Sequence, residues 1–126
     1  MLKEGLSYTA RIVVTAANTA ASVGSGDMEV FATPAMAALM EQAAMKAVAE
    51  VLPDGSSTVG IGLNVSHIKP TGLGSEVSAT AVLTAVEGRR LTFSVSASDP
   101  EGIIGEGTHV RCIVDRARFM AKAERA

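Results

Sequence analysis

Thr33, Glu41 and His67 supply a hydroxyl, a carboxylate and an imidazole, the side-chain types from which hydrolytic sites are built. Glu41 is the most conspicuous of them. It lies in the apolar run Phe31–Leu52, where its same-face helical neighbours are Ala37, Ala44 and Val48. A carboxylate on such a stripe is costly unless it has a partner or a task. His67 ends a period-two run, in register with Val59, Ile61, Leu63 and Val65, on the face that should meet the helix. A Glu41–His67 pair would explain both residues, the carboxylate orienting the imidazole and stabilising its charged form. A purely structural buried ion pair would explain them too. Thr33 heads the helix, where free N–H groups and the positive dipole end can hold an anionic oxygen. An ordinary N-cap threonine is the plainer account of it.

Spacing limits how these groups can meet. Thr33 and Glu41 are eight residues apart, hence about 12 Å apart along one helix and about 80° out of phase. They do not touch within a continuous helix. Either His67 or a substrate bridges them, or Thr33 of one protomer faces Glu41 of another across a two-fold interface.

The elements that must position them follow from periodicity. Leu6, Tyr8, Ala10, Ile12 and Val14 alternate as a strand, and 15–29 reads as a loop of small polar residues. The helix follows, with Thr33 as N-cap and Pro34 at its first position, and 53–57 ends it with turn chemistry. Strands are then expected over 59–67, 77–85, 91–97 and roughly 103–114, joined by turns at 69–74, 87–88 and 99–102. On the last strand Gly105, His109 and Arg111 share one side, and Glu106, Thr108 and Val110 the other. The tail from 116 is basic and fits a strand end or a short helix. This order predicts an α+β fold over a single domain, 1–126, with an antiparallel five-stranded sheet wrapped around one long helix.

Bulk properties exclude several classes. The 126 residues suit one core, and the 48% hydrophobic content is globular, but aromatics are only 3% and much of the rest is alanine. Small side chains bury little area each, so a homodimer or higher homo-oligomer is expected. A net charge of −2 argues against a nucleic-acid partner. The lone Cys112 permits no internal disulfide and suits a reducing cytoplasm, and no apolar run is long enough to span a membrane. Two separated histidines and one cysteine offer no metal-ligand spacing, and no phosphate-cradling glycine loop occurs.

Three segments are more specific than the fold pattern: VFAT at 30–33 leading to LME at 39–41, Gly60 through VSH at 65–67, and VEGRRL at 86–91 through GEGTH at 105–109. Together they resemble the fluoroacetyl-CoA thioesterase family of hotdog-fold enzymes, over most of the chain from about Val30 onward. The resemblance implies a hotdog fold and an acyl-CoA thioesterase acting on a small or short-chain acyl group, with no cofactor beyond the coenzyme A of the substrate. It aligns Thr33, Glu41 and His67 with the family's catalytic threonine, glutamate and histidine. Gly60 aligns with a glycine near the active site, and Arg111 falls near an arginine position. The fluoroacetate-selective enzyme has a longer, bulkier and more aromatic segment before the helix than 15–29 here, so the resemblance extends to thioester hydrolysis rather than to that selectivity.

Secondary candidates are substrate contacts from His109 and Arg111, with a solvated or interface pair as the alternative. Arg89, Arg90, Lys69, Arg116, Arg118 and Lys122 could meet CoA phosphates or simply be solvated charges. Gly60 and Gly62 allow close approach by a thioester or by another chain. Met36, Met40 and Met45 follow helical spacing and are expected in the core. A non-catalytic acyl-CoA or small-ligand binding module is the competing function. Enoyl-CoA hydration ranks last, because an Asp-x-Asn-x-x-His pattern does not occur.

Overall fold

The structure is a computed structural model that describes residues 1–125. Strand β1 (Ser7–Val13) is followed by helix α1 (Ala20–Val23), the long helix α2 (Thr33–Val48), strands β2 (Ser56–His67), β3 (Glu76–Glu87), β4 (Arg90–Asp99) and β5 (Gly102–Asp115), and helix α3 (Arg116–Glu124). The strands form one antiparallel sheet in the order β1-β3-β4-β5-β2. Consecutive strands β3, β4 and β5 are neighbours, whereas β1 and β2 occupy the two edges. Helix α2 packs chiefly against β1 and β3. The expected α+β arrangement of five strands around one long helix is the arrangement found. No helix among the described residues is long and apolar enough to cross a membrane.

Alanine, leucine and methionine favour α2, and Pro34 sits in its first turn, where a missing N–H costs nothing. Its buried face is Met36, Leu39, Met40, Ala43, Ala44 and Val48, a helical spacing throughout. The sheet answers with small residues of its own: Ala10, Ala79, Ala81 and Ala97 belong to the same core as Phe31, Phe93, Leu83 and Leu91. Small residues on both sides let helix and sheet approach closely. Met45 is not part of this core; it is 38% exposed on the far side of the helix.

The segment at 15–29 is more ordered than a loop. Thr15 caps a short 3₁₀ turn at Ala16–Asn18 in a reciprocal capping box, and Thr19 caps α1. Thr, Ser and Asn compete with helix in its interior but favour its ends, so a polar run without periodicity can still fold as two short capped turns.

Strand β2 departs from simple alternation. Its register against β5 shifts between Gly60 and Gly62, a bulge centred on Ile61. The extra residue reverses the parity of the strand. Gly60 pairs with Arg111 on the helix-facing side, and beyond the bulge Leu63 pairs with His109 and His67 with Gly105 on that same side. Val59 and Ile61 therefore do not share the inner face with His67, as strict alternation required. Ile61 is instead 54% exposed.

Candidate active site

Two devices bring the start of α2 to the end of β2. The first is Gly105, opposite His67 in the ladder. A Cβ there would lie 2.7 Å from the Met36 sulfur and 2.5 Å from the Ser66 carbonyl oxygen, so the absent side chain is what lets the first turn of the helix seat against β5 and β2. The second is Asp99, which accepts from Lys69 Nζ at 2.9 and 3.0 Å and from Thr71 Oγ1 at 2.8 Å. The Thr71 carbonyl in turn accepts from the Phe31 N–H at 2.8 Å. The chain leaving β2 is thereby tied to the chain entering α2. Lys69 is committed to Asp99 and Glu101 rather than being a free phosphate-binding charge.

The result is a direct contact between Thr33 and His67. Thr33 Oγ1 lies 2.8 Å from His67 Nδ1. Thr33 is the first helical residue rather than the cap; Ala32 holds the cap position and makes no side-chain cap bond. One residue of difference matters, because a capping hydroxyl would be occupied by backbone N–H groups, whereas this one is left to the imidazole. His67 Nε2 is buried without a well-formed hydrogen bond among the described residues. Burial, the larger influence, holds the imidazole below the ordinary histidine pKa, and the Lys69 backbone partly offsets it. With the imidazole neutral and its proton on Nε2, Nδ1 is left as an acceptor. Nδ1 then accepts from the Thr33 hydroxyl: an alcohol aimed at a neutral base.

Glu41 is elsewhere. Its carboxylate lies 3.7 Å from Arg111 Nη1 and 4.0 Å from His109 Nε2, and its side chain is 44% exposed. The expected Glu41–His67 pair does not form within the chain. His67 does face the helix side, but Glu41 lies beside Gly60, seven residues earlier on β2, because the bulge at Ile61 turns Gly60 rather than the 59/61 side chains toward it. A Cβ on Gly60 would meet Glu41 Oε2 at 2.5 Å and His109 Cε1 at 3.2 Å. The space that glycine leaves is filled by the chain's own carboxylate.

The residues behind Glu41 form a closed network. Arg111 Nε donates to Thr58 Oγ1 at 2.8 Å and Nη2 to the Thr58 carbonyl at 2.9 Å. His109 Nδ1 donates to the Gly62 carbonyl at 2.7 Å, so its Nε2 is the acceptor for Arg111 Nη1 at 3.1 Å. The bulge that exposes Ile61 supplies that carbonyl. Burial chiefly, with the nearby Arg111 charge adding to it, pushes the His109 pKa down, so His109 is neutral at neutral pH and Arg111 is the charge facing Glu41. Burial lowers the Arg111 pKa as well, against the attraction of Glu41. Arg111 and His109, expected as substrate contacts or as a solvated or interface pair, are buried and hydrogen-bonded within the chain.

Of the residues singled out from sequence, the chain thus assembles Thr33 with His67, and Glu41 with Gly60, His109 and Arg111, as two separate groups. Thr58, Gly105, Thr71 and Asp99 hold the groups in place. Only Gly105 is marked in the sequence, sharing one strand side with His109 and Arg111; the other three read as ordinary strand and turn residues.

Known proteins resemble this chain in sequence and in fold. The fluoroacetyl-CoA-specific thioesterase family, FlK, matches residues 14–117. A fluoroacetyl-CoA thioesterase from Streptantibioticus cattleyicolor is 45% identical over 94 residues, which are 75% of this chain and 68% of that protein. A threonine-to-serine mutant of the fluoroacetyl-CoA thioesterase FlK, in complex with acetyl-CoA, superposes with a TM-score of 0.93 at 35% identity over 98% of each chain. A thioesterase superfamily member from Thermus thermophilus superposes with a TM-score of 0.90 at 28% identity over 99% of this chain and 93% of that one. The chain belongs to the fluoroacetyl-CoA-specific thioesterase family and is a hotdog-fold thioester hydrolase.

Proposed function

We propose that this enzyme hydrolyses a small acyl-CoA thioester at a site composed from two copies of the chain, with Thr33 and His67 from one copy and Glu41 from the other. The observation that carries this reading is the Thr33–His67 contact at 2.8 Å, formed without Glu41. A hydroxyl donating to a neutral imidazole can lose its proton to Nδ1 as it attacks a carbonyl, or can hold a water that does so. The same imidazolium can then return the proton to the departing CoA thiolate. The N–H groups of the first turn of α2 lie beside Thr33 and suit the developing oxyanion.

The placement of Glu41 favours a second copy as the source of the carboxylate. Strand β2 is a sheet edge, and Ile61 and Leu63 on it are 54% and 39% exposed. A two-fold axis on this edge would run two β2 strands antiparallel. Centred near Leu63 and Asn64, it would set His67 of one copy opposite Gly60 of the other, beside that copy's Glu41. Arg111 and His109 would then act as positioning residues that keep the carboxylate on the interface side. The 15–29 segment, mostly of short side chains, does not single out a fluoroacetyl group.

Mixed oligomers of Thr33→Ala and Glu41→Ala chains test the composite site, with free thiol measured on acetyl-CoA. Recovery well above the sum of the two parent mutants is expected. Activity that never exceeds that sum would rule out sharing between copies. Acyl-CoA binding by calorimetry without any thiol release would select the non-catalytic binding module instead.

A further inference from the structure

Asp99 meets more of the chain than its place at the end of β4 requires. Its side chain is only 5% exposed, and a carboxylate so placed is costly unless donors saturate it. Oδ1 accepts from Lys69 Nζ at 3.0 Å and from the Glu101 N–H at 2.8 Å. Oδ2 accepts from Lys69 Nζ at 2.9 Å and from Thr71 Oγ1 at 2.8 Å. Three stretches of chain therefore converge on one carboxylate: the exit of β2, the approach to α2 and the β4–β5 turn. The Lys69 bond above all, joined by those from Glu101 and Thr71, holds the carboxyl below the ordinary carboxylate range, so it stays charged.

Two of these arms end equally close to the reacting groups. Lys69 stands two residues after His67. Thr71 offers its carbonyl to the Phe31 N–H at 2.8 Å, and Phe31 stands two residues before Thr33. Residues 30–32 are held from both sides: Val30 bridges to Gly72, Phe31 bridges to Thr19, and the Ala32 N–H donates to the Asn18 carbonyl at 3.0 Å. Of these supports, only the Thr71–Gly72 side belongs to the stretch that leaves His67. Asp99 lies two residues beyond Ala97, which pairs with Gly105, which pairs in turn with His67. Apolar replacement of a buried ion pair often costs little stability, so stability is a poor account of this one. What the pair fixes is relative position, and a misplacement of about 1 Å can cost about 100-fold in rate. We propose that Asp99 is a positioning residue for thioester hydrolysis, its carboxylate setting the gap between the Thr33 hydroxyl and the His67 imidazole through the Thr71 and Lys69 arms. The proposal rests on the reading of Thr33 and His67 as the working pair.

Thr71→Val deletes the hydroxyl at nearly constant shape, whereas Thr71→Ser keeps it. Asp99→Asn removes the charge and leaves an oxygen for the Glu101 N–H. Thr71→Val and Asp99→Asn should each lower kcat on acetyl-CoA about tenfold or more with KM within about twofold, and Thr71→Ser should stay near native. Native kcat in both variants, where His67→Ala is inactive, would overturn the role. Equal losses in Thr71→Val and Thr71→Ser, or losses carried by KM alone, would overturn it too. A second readout does not need turnover. The chain has two histidines, so the imidazole nitrogen resonances of His67 are assigned by their loss in His67→Ala. In Thr71→Val and Asp99→Asn the Nδ1 resonance should leave its hydrogen-bonded position while those of His109 stay. That movement supports the clamp even if His67→Ala keeps full turnover, a result that would sink only the catalytic reading. An unmoved resonance overturns the clamp even if His67→Ala is inactive. Should Asp99→Asn fail to fold, the Thr71 pair still delivers both readouts.

Discussion

The two halves of the candidate site are built on opposite physical terms. Thr33 and His67 form a neutral pair, joined by one hydrogen bond and held in place from outside by Gly105 and the Asp99 clamp. Glu41 is half-exposed and rests on a buried cation, and that cation is itself fixed by Thr58 and a neutral His109. The neutral pair carries no charge at rest and develops charge only when the hydroxyl proton moves to the imidazole. The charged group is anchored from behind and leaves its carboxylate toward the sheet edge. The difference teaches that one helix can serve two half-sites, because its first turn and its third face different parts of the sheet.

The comparison breaks most visibly if either half is removed. His67→Ala and Glu41→Gln should each lower kcat on acyl-CoA by about 100-fold or more, the scale of lost general acid–base catalysis. Their pH profiles should differ. Catalysis that needs neutral His67 falls as pH drops through its pKa, and burial places that pKa below the ordinary value of about 6.5. Residual activity in Glu41→Gln should retain that acid limb, and residual activity in His67→Ala should lack it. A shared limb in both would mean that the two halves titrate as one unit.

A smaller change sharpens the contrast. Gly60→Ala puts a methyl group where Oε2 of Glu41 now sits, yet the obstructed atom is the end of a flexible side chain. The methyl group would also press on the buried His109 ring at 3.2 Å, so the melting temperature should drop modestly, while kcat should fall about tenfold as the carboxylate swings aside. Wild-type turnover in this variant would detach the Glu41 position from catalysis.

The smallest effect concerns stability. His109 is buried with its pKa depressed, so between its folded pKa and about 6.5 the unfolded chain binds more protons than the folded one. Stability should therefore be level above about pH 7 and decline on acidification through that window. His67 contributes in the same direction. Thermal melts from pH 7.5 to 5 should show the decline, and His109→Gln should reduce its slope without abolishing it. A slope unchanged by His109→Gln would place the proton uptake elsewhere.

The fold was largely legible. The apolar run at 31–52 announced α2, and the alternation of 77–83 and 91–97 announced the central strands, because over those residues the strands bury one face against the core. The edge strand was less legible. Period-two counting carries no sign of an inserted residue, so it sets Val59 and Ile61 on the wrong face, and a face alone does not say how far along the strand Glu41 lies from His67. The N-terminus of α2 was displaced by one position for a similar reason: Thr33 and Ala32 are both acceptable before Pro34, and only the contact with His67 distinguishes them.

The sequence by itself determined which side chains are available: a hydroxyl, an imidazole and a carboxylate on elements of recognisable period, with a spacing of eight positions from Thr33 to Glu41 that forbids their direct contact. The tertiary structure decided who meets whom. A bulge at Ile61, a missing Cβ at Gly105 and the Lys69–Asp99–Thr71 clamp bring His67 to Thr33 and leave Glu41 to Arg111. These are long-range coincidences of backbone geometry. They are set by how strands register and how closely helix and sheet approach, quantities that local periodicity does not contain.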